Sequence, residues 1–146
     1  RAAERPRLRL AGPWASVSLP LVRIAEAIEP FAASRGYSVV REYGGHGIGR
    51  TFHAAPHINH CITPGDSQRF ETGMTFTVEP MLTTGVDSYR QAGDGWTECL
   101  VDSMPSAQFE HTVLVTDVGV EILTVDSSGR SPAGTLADLE AEATPA

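Results

Sequence analysis

Two segments of this chain alternate strictly along their length. In MTFTVEP, Met74, Phe76 and Val78 share one face, and Thr75, Thr77 and Glu79 share the other. In QFEHTVLVT, Phe109, His111, Val113 and Val115 oppose Gln108, Glu110, Thr112 and Leu114. A period of two is that of a β-strand, whose successive side chains point to opposite faces. Both segments therefore read as strands with one buried side. Pro80 should end regular pairing after the first, because it has no N–H to give to a ladder. VEILTV follows the second across TDVG, which predicts a hairpin of residues 113–116 with 120–124.

Upstream, LPLVRIAEAIEPFAASRGY (19–37) has helical spacing, with Leu21, Ile24, Ile28 and Phe31 on one face. Gly36 suits its C-terminal cap. Pro30 should kink the helix and remove one backbone hydrogen bond. YSVVREY reads as a further strand leading into a glycine-rich turn, and TPGDSQRFETG reads as a loop. One helix followed by several antiparallel strands implies an α+β fold.

The chain has 146 residues, which suits one domain or one piece of a larger one. A net charge of −7, with no Lys/Arg stripe, argues against nucleic-acid and anionic-membrane partners. No apolar run approaches the roughly 20 residues of a membrane-spanning helix. Cys61 and Cys99 are too few for a disulfide scaffold and do not have zinc-knuckle spacing, so a reduced, cytoplasmic compartment is the simplest reading. The Arg- and Pro-rich residues 1–18 read as an irregular or disrupted N-terminal segment, residues 19–125 as the folded unit, and residues 126–146 as a disordered acidic tail.

The histidines are concentrated. GGHGIGRTFHAAPHINH carries His46, His53, His57 and His60, and only His111 lies elsewhere. The glycines flanking His46 permit close backbone approach, but GHGIG fits neither a P-loop nor a dinucleotide fingerprint. If the glycine turn meets the carboxylate-bearing faces of the two strands, His46, Glu79 and Glu110 make one imidazole and two carboxylates. That set binds Mn, Fe, Co or Zn and supports hydrolysis by an ionised water. A nearby non-ligand histidine could stabilise charge on a scissile carbonyl. Blander readings stand beside this one: a strand glutamate among threonines is commonly a solvated charge, and a histidine between glycines a turn residue. His57, His60 and His111 read as structural or rim residues, and Trp96 as packing.

The strings VVREYGGHGIGRTFHAAPHINH, GMTFTVEPM, DGWT and SAQFEHTVLVTDVGVEILT, in that order, resemble the type I methionine aminopeptidases. The resemblance runs from about Leu21 to Thr124. It implies the second half of a pita-bread metallopeptidase, with an antiparallel sheet and a flanking helix. It also implies His46, Glu79 and Glu110 as metal ligands, Glu79 near the attacking water, and His53 as the histidine contacting the substrate amide. Phe52 and Trp96 would line the methionine pocket. The implied cofactor is two divalent ions (Co, Mn, Fe or Zn), and the implied substrate is the N-terminal Met of nascent polypeptides.

The sequence also departs from the family. Gly44 stands where cysteine is frequent. The family takes two further aspartate ligands and a substrate-binding histidine from its N-terminal half, whereas the first aspartate here is Asp66, beyond His46. The expectation is thus an incomplete fragment that binds at most one ion weakly, is inactive alone, and self-associates through exposed sheet surface. A non-catalytic binding module on the same scaffold and a prolidase-like peptidase are the alternatives.

Overall fold

The computed structural model describes residues 19–131. The segment expected to be irregular, 1–18, and most of the tail expected to be disordered, 132–146, lie outside the described residues. Helix α1 (Val22–Ala33) is followed by ten short strands: β1 (Ser38–Val39), β2 (Gly45–Gly47), β3 (Ala54–Ile58), β4 (Thr75–Val78), β5 (Met81–Thr83), β6 (Tyr89–Gln91), β7 (Glu98–Leu100), β8 (Ser106–Gln108), β9 (His111–Thr116) and β10 (Gly119–Ile122). They form a five-stranded sheet in the order β10-β9-β4-β2-β3, a three-stranded sheet β1-β5-β8 and a ribbon β6-β7. Every strand pairing is antiparallel, as the alternating patterns require.

The helix is anchored by small residues. Ala25 and Ala32 are fully buried, and Ile24 and Ile28 pack partly against the two cores. Phe31, expected on the inner face, points outward and is 55% exposed, with the Arg35 guanidinium 3.7 Å above its ring. The alanines let the helix approach the sheet closely; a phenylalanine at that contact would hold it off. The helix runs three residues beyond Pro30, and Gly36 takes the left-handed conformation (φ 77°) that reverses the chain after it.

The larger core is Leu21, Ile58, Phe76, Val113 and Val115, joined by Met74 and Val78. Met74, Phe76 and Val78 of the first alternating segment, and Val113 and Val115 of the second, thus lie on the side expected to be buried. The hairpin forms as expected too, pairing Val113 with Ile122 and Thr116 with Gly119. Between α1 and this sheet face an apolar groove of about 350 Å³ is lined by Ile24, Ile28, Phe70, Val120 and Ile122, among others. A smaller core of Ala32, Val39 and Cys61 fixes the C-terminal end of α1. At the far end, Asp126 closes a turn by accepting the N–H groups of Ser128 and Arg130.

Two strand expectations change here. YSVVREY contributes only the two residues of β1, and QFEHTVLVT is two strands rather than one. Its alternation is interrupted at residues 109–110, so Phe109 is 62% exposed although Val113 and Val115 are buried. The cause is a change of sheet, and it builds the site.

Candidate metal centre

β4 pairs with β9 from Thr75↔Leu114 to Val78↔His111, inside the five-stranded sheet. β5 pairs with β8 from Met81↔Gln108 onward, inside the three-stranded sheet. Between the two ladders both chains cross from one sheet to the other, through Glu79-Pro80 on one side and Phe109-Glu110 on the other. Pro80 cannot donate to a ladder, so pairing must lapse at this point. The lapse frees two carboxylates from the alternation of their strands. Glu79 is half-buried and Glu110 exposed, and both turn toward the same gap.

The third group comes from β2. Gly45 lies flat against β4: a Cβ there would meet the carbonyl carbon of Thr77 at 2.9 Å, with the carbonyl oxygen nearer still. Only glycine allows the strands to approach so closely. Gly45–Gly47, expected within a glycine-rich turn, is therefore a strand. A register shift between His46 and Gly47 interrupts the β2–β3 ladder beside the imidazole. The result brings His46, Glu79 and Glu110 together, with one potential ligand atom from each within 4.8 Å of the others.

The local hydrogen bonds suit metal binding. His46 Nδ1 lies 3.1 Å from the Gly47 carbonyl oxygen, which can only accept, so Nδ1 carries the proton. Nε2 then presents its lone pair toward the gap, 3.5 Å from Glu79 Oε1. Glu79 accepts from the Thr77 hydroxyl at 2.7 Å and from Gln108 Nε2 at 3.4 Å. One imidazole and two carboxylates, with the imidazole held by the Gly47 carbonyl and the Glu79 carboxylate by Thr77 and Gln108, form a fitting donor set for a divalent transition metal.

Rings border the gap. The His53 ring meets His46 edge-on at 4.3 Å between centroids, and Phe52 lies 4.7 Å from His53 and 5.6 Å from His46. Phe52 is 66% exposed, open to anything that enters. Trp96 sits in the turn joining β6 to β7, where Asp94 accepts its backbone N–H; it is 88% exposed and packs into no core. His57 is exposed opposite His46 in the β2–β3 register, and His111 contacts Thr124.

His60 is more than a rim residue. Its ring is 2% exposed, and Nε2 accepts the backbone N–H of Glu79 at 3.2 Å. Accepting requires a neutral ring. Burial depresses its pKa to about 4, with a further downward push from His57 and an opposing pull from Glu79. Unfolded, the ring would titrate at its ordinary value, so between about 6.5 and 4 the unfolded state binds the extra proton. Stability from this residue is thus complete above pH 6.5 and is lost as pH falls toward 4, by on the order of 3 kcal/mol. Chemical denaturation at pH 7 and pH 4.5 should show a smaller loss in His60→Gln than in the wild-type chain.

Comparison with known proteins identifies the family. The model of metallopeptidase family M24 matches residues 15–117. The methionine aminopeptidase of Escherichia coli K12 is 47% identical over 113 residues, which is 77% of this chain and 43% of that protein. The crystal structure of methionine aminopeptidase from Rickettsia prowazekii superimposes with a TM-score of 0.70 at 45% identity, covering 74% of this chain and 44% of that one. The enzyme from Thermotoga maritima gives 0.71 at 39% identity, covering 75% and 44%. The chain thus spans less than half the length of the relatives it matches.

Proposed function

We propose that this chain, which belongs to metallopeptidase family M24, supplies one face of a methionine aminopeptidase centre that removes the N-terminal Met of nascent polypeptides. The observation that carries this reading is the convergence of His46, Glu79 and Glu110 where two strands change sheets. Its similarity to methionine aminopeptidases supports N-terminal Met as the substrate. Such nascent substrates are cytoplasmic, and the chain is assigned there; no helix among the described residues is long and apolar enough to cross a membrane.

His46, Glu79 and Glu110 would hold one divalent ion, and a second would need carboxylates from outside these residues. A divalent ion there supplies Lewis acidity toward the scissile carbonyl and lowers the pKa of water toward neutrality. Glu79, steadied by Thr77 and Gln108, takes the proton of the attacking water. His53, at the open edge of the gap, donates to the carbonyl oxygen as it gains charge. Phe52 offers its exposed ring to the methionine thioether, and Trp96, exposed in the β6–β7 turn, is the second aromatic that the resemblance gives to that pocket.

The test is complementation. The chain alone should release little Met from Met-Ala-Ser, and adding the N-terminal part of the Escherichia coli enzyme should raise release by orders of magnitude, well above release from a proline-containing dipeptide. Preference for the proline peptide would contradict the reading. In the complemented enzyme, His53→Ala should keep Co(II) affinity within a few-fold while lowering kcat by about 10²–10³. Loss of the metal instead would make His53 a ligand.

A further inference from the structure

We propose that Thr77 is a positioning residue whose single hydroxyl fixes His46 and Glu79 relative to one another. Thr77 is fully buried on β4. Its Oγ1 accepts the backbone N–H of His46 at 2.9 Å and donates to Glu79 Oε1 at 2.7 Å. A hydroxyl has one proton and two lone pairs, so it can donate to Glu79 while it accepts from His46. The His46 carbonyl oxygen is also 3.5 Å away, but the proton goes to the nearer, ionised carboxylate, where the bond is shorter and stronger.

The neighbouring threonine provides a contrast. The Thr75 hydroxyl donates to the Ile48 carbonyl and ties strand to strand. Thr77 instead ties the backbone of one ligand residue to the side chain of another, across the β2–β4 contact that Gly45 makes possible. A strand position with only packing to satisfy would accept valine, which has the same branching and nearly the same volume. The hydroxyl has its value through the two ligands it touches, both of which must lie within bonding range of one ion.

The inference rests on the metal reading above, and one titration separates the two. Co(II) binding to the full chain is followed by visible absorption and calorimetry in wild type, Thr77→Val, Thr77→Ser and Thr77→Ala, with thermal unfolding of each metal-free protein as the folding control. Within each of the pairs Thr/Val and Ser/Ala only the hydroxyl differs, so the second pair decides if Thr77→Val does not fold. Removing the hydroxyl should weaken Co(II) binding by about 10–100-fold and alter the absorption envelope, while Thr77→Ser stays within a few-fold of wild type. Equal affinity within the pairs overturns the role of Thr77 and leaves the metal centre standing. A wild-type chain that binds no Co(II) overturns both.

Discussion

Glu110→Gln should abolish Co(II)-induced stabilisation of the chain while leaving the metal-free protein as stable as wild type, or slightly more so. Glu110 is exposed in the two-residue crossing between β8 and β9 and packs into neither core, so the isosteric amide disturbs no packing. Without a metal, its carboxylate lies within 4.8 Å of that of Glu79, a like-charge contact that neutralisation relieves. In water that relief is at most about 1 kcal/mol. With metal the sign reverses, because a charged ligand has become a weak neutral one. Affinity should fall by more than the roughly 100-fold typical of losing an outer-shell partner. Wild type should therefore gain melting temperature with Co(II), and the variant should not. In the complemented enzyme the same substitution should lower kcat/KM by at least about 10³, the equivalent of several kcal/mol of charge stabilisation. A variant that loses stability without metal, yet still responds to it, would show Glu110 to be structural.

The second large effect is on folding. Gly45→Ala places a methyl group against the Thr77 carbonyl, backbone facing backbone, with no flexible side chain to yield. Strands β2 and β4 must separate, loosening the inner strands of the five-stranded sheet. Overpacking commonly costs about 1–3 kcal/mol, and a backbone clash belongs at or above the top of that range. For a domain of this size the melting temperature should drop by about 10 °C or more. Gly49→Ala, in the same glycine-rich stretch, meets nothing within 4 Å and should be nearly neutral. Because Gly45 seats β2 on Thr77, any folded Gly45→Ala protein should also bind Co(II) more weakly. Equal melting temperatures for the two variants would refute the close-approach account of this motif.

Much of this architecture was legible in the sequence because burial imposes its period on the chain. Met74, Phe76 and Val78 had to face a core, as did Val113 and Val115, and the β9–β10 hairpin followed from the short linker. The helix was legible in extent, but its inner face was not. Ala25 and Ala32 carry no strong hydrophobic signal, whereas Phe31 does and nevertheless lies outside beneath Arg35.

The candidate site was legible in its residues and obscure in its construction. His46, Glu79 and Glu110 could be named from residue type, strand pattern and resemblance to a known family. The change of sheet that brings the glutamates together could not, because alternation runs unbroken through Phe109 and Glu110 and only Pro80 marks the break. His60 and Thr77 were invisible for another reason. Their partners are distant in sequence or depend on the β2–β4 contact, and no local pattern announces that a buried imidazole will accept the N–H of Glu79. Thr77 did share a face with Glu79 in the alternating strand, which was the available hint.

The most direct test of the metal centre is a crystal of the chain grown with Co(II) and an anomalous difference map recorded at the cobalt edge. The account predicts a peak in the gap between β2 and the two sheet crossings, about 2.0–2.2 Å from His46 Nε2 and from oxygens of Glu79 and Glu110. A peak bound elsewhere, or none there at saturating Co(II), would contradict it.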